Sequence, residues 1–163
     1  MTVVCNATPL INFAVINRLD ILQATFGQIV IPQAVFIETT ASGFPGSQFV
    51  IQAIASDWLF VRSVLVIAST IPRELDNGER EAIALALETD TQQILLDERE
   101  ARQVAHQLGL QVMGTLGILL LAKNNLIIPQ VRPLLDDMID IAQYWVSAML
   151  YEQVLRQAGE NLE

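Results

Sequence analysis

Two apolar segments of this chain end in a side chain that can offer oxygen to a cation. Val3-Val4-Cys5 runs into Asn6, and Ile94-Leu95-Leu96 runs into Asp97. Two glutamates stand in helical segments: Glu38 at the end of IVIPQAVFIE and Glu79 within DNGEREAIALA. In an open α/β sheet, ligands bind in the crevice outside the strand C-termini. Hard divalent cations take oxygen ligands, carboxylates above all. Asn6, Glu38, Glu79 and Asp97 therefore point to metal-dependent phosphodiester chemistry.

Each residue also has a plainer reading. Asn6 suits a turn amide, and Thr8, followed by Pro9, suits a helix N-cap. Glu38 in VFIETT fits a solvated helix face. Glu79 follows Asp76 by three, the spacing of a capping box. Yet Glu79, Ile83 and Ala86 share one face by the i, i+4, i+7 rule, which puts Glu79 at the edge of a buried stripe. Glu81 lies about 160° around that helix and faces solvent or a neighbouring side chain. Asp97 could cap the helix that follows it, and Glu98 comes directly after. Arg99 and Arg102 read either as partners of local acids or as phosphate contacts. His106 is the only histidine, so no multi-histidine zinc site can be built; it reads as a partly buried helix residue.

The elements that must hold these groups alternate. Strands are expected at 2–5, 29–31, 59–64, 93–97 and 110–113. Helices are expected at 8–17, 19–26 (stopped by Gly27), 33–40, 47–56, 78–89 (capped by Asp76 or Asn77), 98–108 (ended by Gly109) and 115–124, the last opened by Gly114-Thr115. Further helices near 129–141 and 147–158 close the chain, with a short strand at 143–146 between them. ASGFPGS is the clearest loop, and VLVIASTIP has no evident element. Short apolar strands without alternation, separated by helices, predict a three-layer α/β/α fold with a mostly parallel sheet. No Gly-rich phosphate loop is present, which argues against a nucleotide-binding Rossmann or P-loop protein.

Composition sets limits. The 163 residues read as a single domain, 1–163. Hydrophobic content of 52% and a mean hydropathy of +0.42 allow a full core with apolar surface left for a partner. The longest apolar stretch, Leu116 to Ala122, is far short of the roughly 20 residues of a membrane span. MTVVCNATPL lacks a basic n-region, so no signal peptide is expected. The single cysteine, Cys5, reads as a packed thiol in a reducing, cytoplasmic setting. A net charge of −9 argues against a broad nucleic-acid surface, which is normally basic. It leaves room for a nuclease that reaches phosphate through metal ions.

At these residues the chain resembles the PIN-domain nucleases, and more closely their bacterial and archaeal branch of PIN-like domains of unknown function. VVCNATPLINFAVINRLDIL, IVIPQAVFIE, LDNGEREAIALALE, ILLDEREARQVAHQLGLQV and MGTLGILLLAKNNLI carry the likeness, over about residues 2–156. The resemblance implies a parallel sheet flanked by helices and a metal-dependent single-strand ribonuclease, often the toxin of a toxin–antitoxin pair. The family's acidic quartet falls on Asn6, Glu38, Glu79 and Asp97, with Glu98 as a substitute for the last. Thr8 matches the small hydroxyl after the first acid, Arg102 a recurrent basic position, and Gly114-Thr115 a glycine-threonine turn. One departure stands out: the first acid is normally aspartate. Asn6 keeps a carbonyl oxygen but removes one negative charge, so weaker metal binding is expected.

The functional expectation is a ribonuclease using Mg²⁺ or Mn²⁺. Asn6, Glu38, Glu79 and Asp97 would serve the metal, and Thr8, Arg99, Arg102 and Thr115 would contact substrate, with Glu81 and Glu98 as outer candidates. Single-stranded RNA, an antitoxin protein and a second copy in a homodimer are the expected partners. Two other classes compete: a nuclease-derived binding module in which Asn6 has cost catalysis, and a hydrolase of small phosphate esters.

Overall fold

The computed structural model describes residues 2–162. Five strands form one sheet: β1 (Thr2–Cys5), β2 (Gln28–Pro32), β3 (Leu59–Arg62), β4 (Gln93–Leu95) and β5 (Gln111–Met113). Their spatial order is β3-β2-β1-β4-β5, and every pairing is parallel. Among the described residues nine helices surround it: α1 (Ala7–Val15), α2 (Leu19–Phe26), α3 (Gln33–Thr40), α4 (Ser47–Ala55), α5 (Asn77–Glu88), α6 (Arg99–Gln107), α7 (Thr115–Asn124), α8 (Arg132–Asp140) and α9 (Ala148–Gln157).

Alternation along the strands explains the three layers. Val3, Cys5, Ile29, Ile31 and Leu95 point to one face, where α1, α2, α4, α7, α8 and α9 cover them. Val4, Val30, Ile94 and Leu96 point to the other, covered by α5, α6 and the segment carrying Ile71 and Leu75. Strands apolar on both sides need helices on both sides, which is why they show no polar alternation in the sequence. Cys5 is fully buried among them, as a packed thiol.

The chain lays β1, β2 and β3 outward on one side, then returns to place β4 on the other side of β1. The gap between β1 and β4 is therefore the topological switch point, where open sheets bind ligands. The ladder continues past the strands, with Asn6 N–H donating to Leu95 O at 2.9 Å and Leu96 N–H to Met113 O at 2.9 Å. Asn6, Asp97 and Glu98 are thus carried to one edge.

Three local expectations need correction. No strand forms at 143–146; that stretch is irregular, turned by Gln143 at φ 57 and tied by Tyr144 N–H to Met138 O at 3.0 Å. Thr8 does not cap α1: Asn6 is the N-cap, and Pro9 sits at the third helical position, still among the amides that need no intrahelical partner. His106 is exposed rather than partly buried. VLVIASTIP adds no regular element, but Ile71 seals the α5–α6 face. No helix among the described residues is long and apolar enough to cross a membrane.

Candidate active site at the β1–β4 switch point

Asn6 is 3% exposed. Its amide Nδ2 donates to Glu98 Oε1 at 3.2 Å. Its carbonyl Oδ1 is buried and has no hydrogen-bond partner. Thr8, one turn into the chain beyond it, donates its hydroxyl to Glu98 Oε2 at 2.8 Å. Both oxygens of Glu98 are therefore fixed by the end of β1. The backbone reason is simple: Glu98 is the N-cap of α6, with extended dihedrals, and its side chain swings across the gap instead of capping its own helix.

Asp97, one residue earlier, turns the other way. Its Oδ1 accepts from Thr115 N–H at 2.9 Å and Tyr144 OH at 3.2 Å; its Oδ2 accepts from Thr115 Oγ1 at 2.6 Å. Asp97 thus caps α7 across space, satisfying one of the amides every helix N-terminus leaves open. Asn12 Nδ2 in turn donates to Thr115 Oγ1 at 3.1 Å. Thr115 is fully buried and its hydroxyl is committed on both sides, so it does not contact substrate. Gly114 completes the corner: a Cβ there would lie 2.9 Å from Asp97 Oδ1 and 3.4 Å from Arg102 Nη1.

Glu79 and Asp76 form a full capping box at the start of α5. Asp76 Oδ1 accepts from Glu79 N–H at 2.8 Å, and Glu79 Oε1 accepts from Asp76 N–H at 3.2 Å. Glu79, Ile83 and Ala86 are all buried, so the capping reading and the buried-face reading hold together. Gly78 between them lets α5 approach β1: its Cβ position is 3.5 Å from both Asn6 Oδ1 and Asp76 Oδ1. Asp76 Oδ1 and the unpartnered carbonyl of Asn6 thus both border the space above Gly78. Sequence reasoning assigned Asp76 to a cap alone; its signal was the same Asp-x-x-Glu spacing that concealed it.

Glu38 sits exposed on α3 at the rim. Glu81 is half-buried, and its Oε1 accepts from Ala34 N–H at 3.1 Å, capping α3 and so positioning the helix that carries Glu38. Arg99 and Arg102 lie on α6 beside Asp97, and neither forms an ion pair among the described residues. Tyr144 and Asn12 were missed by sequence reasoning, Tyr144 because its segment read as a strand and Asn12 because an amide inside an apolar helix carries no motif.

The electrostatics match the crowding. Burial first, then the charges of Asp76 and Glu98, raise the Glu38 carboxyl above its ordinary range. Glu79 is raised by burial, which outweighs the stabilising Asp76 amide; Asp76 and Glu98 add to the shift. Glu98 is raised by burial, with Asp97 and Asp76 adding to it and the Thr8 hydroxyl opposing. Burial and the nearby Asp97 charge push the Tyr144 phenol up, so it is a neutral donor. Like charges that raise one another's pKa are relieved by a cation.

No three carboxylate, histidine or cysteine side chains among the described residues lie close enough together to share one ion. The all-oxygen donors nevertheless fit a hard cation of the kind that keeps most of its waters. Mg²⁺ is ordinarily held by one or two carboxylates plus waters. The buried Asn6 Oδ1 is an acceptor without a donor, and such groups are costly unless something satisfies them.

The comparisons agree with this architecture. The family model described as PIN domain matches residues 2–160. Among solved structures, the chain is similar to a PilT N-terminus domain protein from the hyperthermophilic archaeon Sulfolobus solfataricus P2. That likeness has 16% identity and a TM-score of 0.52, and it covers 86% of this chain and 95% of the other. At this identity it speaks for the fold. No curated protein matches the chain.

Proposed function

Because the chain belongs to the PIN-domain family, a nuclease-like group, we propose that it is a metal-dependent endoribonuclease that cuts single-stranded RNA with Mg²⁺ or Mn²⁺ and acts as the toxin-like member of a toxin–antitoxin pair. One observation carries the reading: the buried Oδ1 of Asn6 has no hydrogen-bond partner, it and Asp76 Oδ1 both border the space above Gly78, and the Asn6 amide holds Glu98. A buried oxygen acceptor that no donor of the chain satisfies is suited to an external cation. Asn6, Asp76 and Glu98 would hold it, with Glu38 and Glu79 at the rim. When bound, the ion supplies a water of lowered pKa and neutralises charge at the phosphate.

The chain's own residues do the rest. Thr8 fixes the Glu98 carboxylate through Oε2, leaving Oε1 toward Asn6. Arg99 and Arg102 stand free to hold phosphates flanking the cut. Asp97 orients α7 and Tyr144 rather than reaching the cation. Large apolar side chains left exposed, Leu65, Val66 and Met149 among them, support the expectation of a covering antitoxin or a second copy.

A second reading has a specific observation behind it. Asn6 brings an amide where the family's first acid would stand, and that amide donates to Glu98, as befits a binding module descended from a nuclease. The deciding experiment is cleavage of a mixed-sequence single-stranded RNA with Mn²⁺, with EDTA, Glu98→Gln and Asn6→Asp as arms. Cleavage abolished by EDTA and by Glu98→Gln establishes the nuclease. Cleavage only by Asn6→Asp establishes the silenced module. Cleavage insensitive to EDTA sinks both.

A further inference from the structure

Beside the acidic pocket, a cleft of about 940 Å³ opens between α6, β5, α7 and α9. Asp97, Arg99, Arg102, Tyr144, Trp145 and Leu150 are among the residues that line it. Trp145 is 82% exposed. An indole left in water at the mouth of a cleft has an apolar face with nothing on it. We propose that this cleft is the subsite for an unpaired nucleobase, stacked on Trp145, with its flanking phosphates on Arg99 and Arg102. The proposal rests on the nuclease reading and deepens it by naming where the strand enters.

Three observations carry it. First, charge: in a chain of net charge −9, two cations without ion pairs among the described residues share one cleft, which makes it complementary to a polyanion where most of the surface is not. Second, the backbone beside the aromatic is anchored. Its neighbour Tyr144 is bonded to Asp97 through its hydroxyl and to Met138 O through its amide. The platform is thereby tied to the β4 end of the site. Third, the combination is the one single strands need. Every base has a π-face, and stacking on an aromatic beside a cationic track recognises unpaired nucleotides without reading sequence. Paired bases are already stacked on each other and cannot use it.

The test is metal-free binding, so that it does not depend on catalysis. A labelled single-stranded RNA of about ten nucleotides is titrated in EDTA against the wild type, Trp145→Ala and Trp145→Phe. Loss of one stacked base weakens binding by roughly 5- to 150-fold, with Trp145→Phe recovering part of it. The melting temperature stays unchanged because the ring is on the surface. Arg99→Ala and Arg102→Ala each flatten the salt dependence by about 0.7 in slope. A Trp58→Phe background leaves Trp145 as the only indole, and its emission is quenched by the single strand and not by the matching duplex.

RNA affinity unchanged by Trp145→Ala overturns the proposal. So does a dimer that Trp145→Ala dissociates while RNA binding stays the same, since a second copy then covers the cleft. RNA bound through Trp145 but never cut with Mn²⁺ keeps the subsite and removes the nuclease reading. RNA cut equally well by Trp145→Ala does the reverse.

Discussion

Asp97→Asn is the substitution a metal-ligand reading would choose first, and here its main effect falls on the fold. Asp97 receives three hydrogen bonds, from Thr115 N–H, Thr115 Oγ1 and Tyr144 OH. Asparagine can keep the two that converge on Oδ1. The third becomes donor against donor: the new amide faces Thr115 Oγ1, which already accepts from Asn12. The Thr115 hydroxyl proton is left buried without an acceptor. A charge-assisted hydrogen bond is worth about 1.5–3 kcal/mol, and an unsatisfied buried donor costs about 1–3 kcal/mol. Relief of repulsion on Glu98, which Asp97 raises, offsets part of this. The net expectation is a loss of about 2 kcal/mol, or a fall in Tm of roughly 4–8 °C for a chain of this size. Chemical denaturation in EDTA at neutral pH measures it with no metal in play. A change below about 0.5 kcal/mol, the size of an ordinary surface substitution, would refute the claim that Asp97 is a structural hub.

Two further substitutions probe the same geometry. Glu98→Gln removes a carboxylate whose folded pKa lies above its ordinary value of 4.5. Such a group contributes stability that is present below the unfolded pKa and lost as pH rises through the folded pKa. Glutamine also sets an amide against Asn6 Nδ2 or the Thr8 hydroxyl, a loss that does not depend on pH; the pH-dependent part of the difference should favour the variant at neutral pH in EDTA and vanish near pH ~4. Glu160, whose pKa is lowered by the Val131 and Arg132 amides and Lys123 against its burial, loses stability on acidification in both proteins and cancels in the difference. A gain that grows on acidification would contradict the assigned direction. Gly114→Ala places a Cβ 2.9 Å from Asp97 Oδ1, and Asp97 cannot yield without breaking its bonds. Overpacking of this kind costs about 1–3 kcal/mol, read as a lower denaturation midpoint with an unchanged slope. Gly114 has an extended backbone, φ −93, so only space, and not conformational freedom, is at stake.

The layers were legible in the sequence because each strand is apolar on both faces, and the helices because their stripes and stops are strong. The convergence of Asn6 and Asp97 on one edge was legible because they end strands on either side of the switch point. What the sequence hid is direction. Asp97 and Glu98 are adjacent, and nothing local says which turns toward Asn6. The choice is made by Thr115 and Tyr144, distant in sequence, which claim Asp97 and leave Glu98 to Thr8. Glu81 read as facing solvent or a neighbouring side chain because its partner, the Ala34 backbone amide, lies on another helix. The expected strand at 143–146 failed for a similar reason. Its apolar and aromatic residues fit a strand by composition, but Tyr144 is spent on Asp97 and Trp145 on the cleft.

Asn6 links the cost of the fold to the strength of the site. An aspartate there would border the space above Gly78 together with Asp76 and stand directly against Glu98, whose carboxyl is already raised by burial and by Asp97 and Asp76. Like charges that close destabilise an empty site and tighten its grip on a cation by the same interaction. Asparagine replaces the repulsion with a donated hydrogen bond at 3.2 Å. It therefore makes the metal-free protein more stable and the metal-bound one less favoured. The stability gained by Asn6 in EDTA and the affinity lost for Mn²⁺ should track each other, because both measure one contact. The Asn6→Asp variant would then melt lower than the wild type without metal and gain more when Mn²⁺ is added, which differential scanning fluorimetry across a Mn²⁺ series reads directly. Equal metal-induced shifts in the two proteins would mean that residue 6 does not face the cation, and the pocket beside Asp76 would lose its role.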